Sequence, residues 1–501
     1  MDNRQNKSFK LVWITATAVF CVLFAFVLIP MAAQGNSSSS TTLSPRSSAQ
    51  IQNYTSSMQG VFDFILRSYI EEVDPKTLFE GALKGMFEAL DDPYSVFMPE
   101  SEMSDLSHTT QGNFGGVGLH ITKPTYLGIG PNGKPSYVEV ASPIEDTPGW
   151  RAGINPGDLI IEVNGISTDT ITMDEVLGML RGVPGDTVRI VIRRGERLEF
   201  PLTLTKAVIE VPTVKHAMIG DTGYLKLISF TPMTADRAVE AINEFKANNY
   251  KNLILDLRNN YGGRLDSAVE IANLFLDGGL VVRTRSRIAS ENRDFVARRG
   301  TVVSPDIPVI VLINGASASA SEIVAGALKD RGRAYLVGEN TFGKGSVQQV
   351  YPLNETGFRI TIARYFTPSD ANIDKSGIPP DREVKFPEYT EEDVVHLSEL
   401  INADKIPEFV RQNPRANAAQ IEAFAVTLEK EYQLDLALLK RLVRNELNRT
   451  EIAPVYDLEY DVQLQEAINI FRSGSFQNLL RNAKSIKAIQ EEREIDLAQA
   501  S

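Results

Sequence analysis

The sequence predicts an α/β protein with helical flanks, and three observations carry that expectation. Strand-like and helix-like stretches alternate from residue 207 to 386: Leu253–Leu257, Leu265–Leu276, Ile307–Ile313, Ala320–Leu328, Tyr335–Val337 and Phe358–Tyr365. Before them, residues 110–206 change to glycines, turns and short β-rich runs, with one convincing helix at Met173–Leu180. Outside both intervals the apolar spacing is helical.

Taking the elements in order, Arg4, Lys7 and Lys10 precede a mostly apolar run, Leu11–Ile29, close to the ~20 residues that span a bilayer. The length favours a retained anchor over a cleaved signal, whose core is shorter; Ala33-Gln34-Gly35 is the site a cleavage would use. The flanking cations put the amino terminus in the cytoplasm and the rest beyond the membrane. Residues 36–50 are rich in Ser and Thr and read as a tether. Residues 51–109 follow as a helical region: Val61, Phe64, Ile65 and Ile70, then Leu83, Met86, Phe87 and Leu90, recur at helical spacing as far as about 107. Asp91-Asp92-Pro93-Tyr94 interrupts the pattern. In 110–206, Tyr137–Val140, Asp158–Val163 and Thr187–Ile192 are strand-like, and Asn164-Gly165 signals a tight turn. The α/β core takes 207–388. Residues 389–501 are charged and helical in pattern, with Pro407 and Pro414 as breaks.

Composition narrows the function. The 501 residues have room for about three or four domains. Asp and Glu number 64 against 51 Lys and Arg, a net charge of −13, which argues against non-specific nucleic-acid binding. The single cysteine, Cys21, excludes a disulfide framework and a Cys-based metal site. The four histidines are not spaced as a helical metal pair. No metal or cofactor is expected.

Two stretches carry chemistry. A buried strand, Ile307–Ile313, runs through the small residues Asn314-Gly-Ala-Ser-Ala-Ser319 into a helix opened by Ala320-Ser-Glu. A serine there lies near the positive end of the helix dipole, and the Ala320 N–H is free to donate to an oxyanion; a simple helix cap would look similar. A nucleophilic serine needs a base, and the α/β core holds no histidine beyond His216 at its edge. Lysine serves if burial lowers its pKa from ~10.4 toward ~7–8. Lys344, between Gly343 and Gly345 with Phe342 and Val347 as apolar cover, is the candidate; a surface lysine in a glycine loop is the plainer alternative. The loop lacks Walker A spacing, and Gln348 is placed to orient the amine. Gly262-Gly263, after the strand Leu253–Leu257, offers backbone amides for the oxyanion or is only a tight turn. A Gly-x-Ser-x-Gly elbow is absent at Ser319.

Together, Leu90-Asp-Asp-Pro-Tyr-Ser95, Gly115-Gly-Val-Gly-Leu119, Ala152-Gly-Ile-Asn-Pro-Gly-Asp158, Asp256–Gly263, Ser317–Ile323, Thr341–Gln348, Thr367-Pro368 and Gly377-Ile-Pro-Pro-Asp381 resemble the C-terminal processing peptidases, or tail-specific proteases, over roughly residues 55–386. The resemblance implies a serine endopeptidase with a ClpP/crotonase-like core and an inserted PDZ domain. It implies a Ser-Lys dyad of Ser319 and Lys344, with Gln348 orienting the lysine. Oxyanion donors are then Ala320 and one of Gly262 or Gly263. In the PDZ domain, Gly116, Val117, Gly118 and Leu119 would hold a substrate's terminal carboxylate. Leu119, Ile121, Val176 and Leu180 would line its side-chain pocket or serve as ordinary core. Arg181 matches a regulatory position, or is a surface charge. A homodimer through the flanking helices, an activating adaptor, protein substrates held by their C-termini, and a place in the bacterial inner membrane facing the periplasm complete the expectation.

Two stretches depart from the family pattern. Asn260-Tyr261-Gly262-Gly263 stands where Asn-Pro-Gly-Gly is frequent, and Ser369-Asp370-Ala371 follows Thr367-Pro368 where a glycine is frequent. The rival expectation is a catalytically idle PDZ scaffold of the cell envelope.

Overall fold

The structure is a computed structural model that describes residues 45–500 apart from 101, 104–111, 125, 131, 132, 134, 196, 388 and 450–453. The expected anchor, Leu11–Ile29, lies outside the described residues. Among the described residues no helix is long and apolar enough to cross a membrane.

The chain divides into two compact units, Met1–Met86 and Phe87–Ser501. In the first, the helix Pro45–Ser68 leaves Ile51, Tyr54, Met58, Val61 and Phe64 exposed. The helix that begins at Pro75 has Asp74 before it, which accepts from the Lys76 N–H and the Thr77 hydroxyl. Proline at the first helical position gives up an N–H that would have no partner there.

The second unit contains the α/β core. Its main sheet has the order Val214–Ile219, Thr222–Leu227, Asn252–Asp256, Val309–Ile313, Tyr335–Gly338, Arg382–Glu383. The first pair is antiparallel and the rest are parallel. Side chains alternate as a pleated strand requires. Leu253, Leu255, Val309, Val311, Ile313 and Leu336 face the helices Thr234–Ala247, Leu265–Asn273 and Ala320–Asp330. Ile254, Ile310, Leu312 and Val337 face Leu464, Ala467, Ile468 and Phe476 from the chain's final helices. With both faces covered, these strands read as unbroken apolar runs.

The PDZ-like module is a sheet of Leu119–Thr122, Val138–Pro143, Leu159–Val163, Thr187–Arg194 and Leu198–Thr205 in that order. Asn164 and Gly165 turn with φ of 49° and 85°, the left-handed pair the Asn-Gly signal anticipates. Its helix Met173–Leu180 opens with a capping box of Thr172 and Glu175.

Two expectations need correction. Helix does not run unbroken to 107: it stops at Glu88, and Val96–Met98 is a strand paired antiparallel with Thr356–Phe366, with helix again only at 100, 102 and 103 before residues 104–107, which lie outside the described residues. The reason is a ready sheet edge, with Asp92 holding the turn before it through Tyr94 and Ser95. Pro407 is not a break either, since it lies in the first turn of Lys405–Gln412, where N–H groups lack intrahelical partners. The chain turns instead at Asp404, whose φ is 53°.

Candidate active site

Ser319 joins the strand Val309–Ile313 to the helix Ala320–Asp330 with φ 56° and ψ −112°. A non-glycine residue there stores about 1–3 kcal/mol of strain that its surroundings must hold. They do so from two sides. The Asn260 carbonyl accepts from the Ala318 N–H at 3.0 Å and the Ser321 hydroxyl at 2.8 Å. The Ser317 hydroxyl donates to the Leu257 carbonyl at 2.8 Å. The strained strand-to-helix junction resembles a nucleophile elbow in geometry without its glycines.

Gly262 lies against this turn. A Cβ on it would stand 2.7 Å from the Ala318 oxygen, 2.8 Å from Ser319 Cβ and 2.9 Å from the Ala320 nitrogen. Its N–H already donates to the Asn260 side chain at 2.9 Å. Gly263 is exposed, and its N–H, like that of Ala320, has no acceptor among the described hydrogen bonds.

Lys344 lies in a loop that only glycines permit. Gly343 has φ 90° and a Cβ would meet the Gly377 nitrogen at 2.9 Å; a Cβ on Gly345 would meet the Asp374 nitrogen at 2.6 Å. Burial, and then the Arg359 charge, push the Lys344 amine below its usual range, while Glu322 and Asp92 oppose the shift. The amine lies over the Tyr94 ring, 4.7 Å from its centroid. Gln348 is four residues along the chain, but its amide donates to the hydroxyls of Ser346 at 2.8 Å and Thr361 at 3.2 Å and does not bond Lys344.

A fully buried carboxylate connects the two loops. Glu322 Oε2 accepts from the Ser319 N–H at 2.8 Å and the Lys344 N–H at 2.9 Å. Its Oε1 accepts from the Thr341 hydroxyl at 2.6 Å and the Gly343 N–H at 2.8 Å. Burial raises its pKa, and these four donors oppose the rise. The Tyr365 hydroxyl donates to the Lys344 carbonyl. Burial and the Glu322 and Asp374 charges hold the Tyr365 phenol well above its usual range.

No role was read from the sequence for Glu322, Tyr365, Tyr94 or Asn260. Glu322 carries a signal, as an acid within the otherwise small and apolar opening of a buried helix. Tyr365 lies in the mixed polar and apolar strand Thr356–Phe366 and carries none.

In the PDZ-like module, Leu119–Thr122 is an end strand of its sheet. The Val117 and Gly118 N–H groups have no acceptor among the described hydrogen bonds, and Gly116 pairs with Ala207. Val176 and Leu180 are fully buried core, with Leu119 and Ile121 partly buried against the same cluster. The Arg181 guanidinium lies over the Phe114 ring, 5.3 Å from its centroid.

A family model described as Peptidase family S41 matches residues 221–384, a PDZ domain model matches 139–194, and one described as the activating protease CtpB N-terminal domain matches 18–102. The carboxy-terminal-processing protease of Bartonella bacilliformis is 38% identical over 333 residues, which cover 65% of this chain and 74% of that one. This chain belongs to the carboxy-terminal processing proteases. Another relative, the carboxy-terminal processing protease CtpA of Bacillus subtilis, is 31% identical over 77% of this chain and 78% of its own. The solved photosystem II D1 C-terminal processing protease is 30% identical with a TM-score of 0.39, covering 64% of this chain and 85% of that one. As a member of this family the chain is a serine protease with a PDZ domain and an S41 peptidase core.

Proposed function

We propose that this processing protease cuts protein chains near their C-termini with Ser319 as nucleophile and Lys344 as base. The observation that carries the assignment is the Glu322 carboxylate, which accepts from the backbone N–H of both residues at 2.8 and 2.9 Å. A single buried anion thus fixes the nucleophile turn against the base loop.

The chemistry follows from the family's acyl-enzyme route. Neutral Lys344 takes the Ser319 hydroxyl proton as the oxygen attacks the peptide carbonyl. The Ala320 and Gly263 N–H groups stabilise the oxyanion; Gly262 gives close approach instead, because its own N–H is engaged. The proton passes to the leaving amine, and Lys344 then activates the water that frees Ser319. The substrate's terminal carboxylate is held on the Val117 and Gly118 N–H groups, and its chain extends the Leu119–Thr122 edge. Gln348 reaches Lys344 only after exchanging its present hydroxyl partners, and Arg181 is the residue through which an activating adaptor acts. Leu11–Ile29 anchors the protein in the inner membrane of a bacterial envelope, with the catalytic part outside the cytoplasm. A homodimer covers the exposed apolar face of Pro45–Ser68.

One observation favours the alternative of an idle core: Lys344 is hydrogen-bonded to neither Ser319 nor Gln348. The test incubates the full chain in detergent at pH 8 with a loosely folded protein ending in apolar residues, beside Ser319→Ala and Lys344→Ala. Fragments from the unmutated protein alone support the dyad. Binding of the tail without cleavage by any of the three supports the idle scaffold.

A further inference from the structure

Lys344 is held by a residue that the dyad chemistry does not use. Its ammonium faces the Tyr94 ring at 4.7 Å, inside the ~6 Å over which a ring face attracts a cation. Tyr94 belongs to a turn built to keep that ring still. Asp92 Oδ1 accepts from the Tyr94 N–H at 3.0 Å, and Oδ2 accepts from the Ser95 hydroxyl at 2.6 Å and the Thr361 hydroxyl at 2.7 Å. The Thr361 N–H donates back to the Ser95 hydroxyl at 3.0 Å, and Arg359 donates to the Tyr94 carbonyl at 3.2 Å. The Thr361 hydroxyl also receives the Gln348 amide. The turn therefore holds Lys344 through a ring face, and reaches Gln348 through the Thr361 hydroxyl that Asp92 accepts.

We propose that Tyr94 is a positioning residue for the base, its ring face holding the Lys344 amine in a charged resting place that the dyad must draw it out of. The inference rests on Lys344 being the base. Its sign follows from the groups around the amine. Arg359 disfavours the charge, whereas Glu322 and Asp92 favour it. Asp374 lies beside Tyr94, and Tyr365 is held as a neutral phenol. The ring adds to the side that favours the ammonium. Replacing it with an aliphatic side chain of similar bulk removes the attraction while keeping water out, so the neutral base becomes easier to form.

The test is the pH profile of kcat/KM for the full chain in detergent, on a loosely folded reporter ending in apolar residues. Tyr94→Phe keeps the ring face and should leave the acid limb in place. Tyr94→Leu should move that limb about half a unit to one unit lower, the size of a partly desolvated cation–ring contact. Tyr94→Trp should move it higher. Thermal melting reports folding, and if the leucine form does not fold, the tryptophan and phenylalanine forms decide. A limb that stays put in the leucine form, or in the tryptophan form where leucine does not fold, overturns the inference. So does a phenylalanine form that shifts as leucine does. Activity surviving in Lys344→Ala overturns the base assignment itself, whatever Tyr94 does.

Discussion

Glu322→Gln is the most informative single change to this site. The carboxylate accepts four hydrogen bonds, two on each oxygen. A glutamine keeps one oxygen and turns an NH2 group toward two of those donors. Either orientation orphans a pair: the Ser319 and Lys344 N–H groups, or the Gly343 N–H and the Thr341 hydroxyl. Each buried donor left without an acceptor costs about 1–3 kcal/mol. Removing a buried charge whose pKa is raised returns part of that, leaving a net loss of about 2 kcal/mol. In a protein this large that lowers the melting temperature by only a few degrees. Catalysis should suffer more, because the nucleophile turn and base loop lose their common tie. We expect kcat/KM to fall about 100-fold, or about 2.7 kcal/mol of transition-state stabilisation. Losing the anion also removes an influence that raises the Lys344 pKa, so the remaining activity should extend to lower pH. Calorimetry and a pH series of initial rates read both effects. Wild-type kcat/KM with a wild-type profile would refute the idea that this carboxylate holds the site together.

Gly262→Ala should abolish cleavage in a folded protein, because its Cβ meets the Ala318 oxygen at 2.7 Å and Ser319 Cβ at 2.8 Å; gel-based cleavage beside circular dichroism checks this. Asp461→Ala removes a partner of the buried Arg258, paired at 2.7 Å, and should lower unfolding free energy in urea by about 3 kcal/mol. Asp256 accepts from Arg258 and from the Tyr224 hydroxyl at 2.6 Å. Burial raises its pKa, but Arg258 outweighs that and holds it below the usual 3.8. Its contribution is therefore present above the unfolded value and lost as pH falls through the lower folded one. The urea midpoint should drop below about pH 4, and less steeply in Asp256→Asn.

The fold was most legible where one physical rule acts alone. Val309–Ile313 is buried on both faces, so its apolar run is visible without tertiary knowledge, and Met173–Leu180 is set by its own capping box. Val96–Met98 was not legible, because a three-residue strand exists only through the edge it joins. The same division holds in the site. Gly343 and Gly345 signal a tight loop because no other residue fits there. Of the two partners of Gln348, Ser346 is two residues away on its own strand, but Thr361 lies on a different strand, which no spacing along the chain reveals.

The final helices have a consequence in time. Leu464, Ala467, Ile468 and Phe476 close one face of the main sheet, and Asp461 and Gln463 grip Arg258, just before the Asn260–Gly263 turn. Ile486 is buried in the cluster on the opposite face, and its N–H donates to Asp330 at the end of the helix that begins beside Ser319. The framework around the Ser319 turn thus draws on residues 461–486, more than a hundred positions further along the chain. A chain in which residues 461–486 have yet to be made, or are removed, would carry Ser319 and Lys344 without these packing partners. The proposed cleavage is therefore expected only once those helices have docked, and neighbours in synthesis would be spared until then.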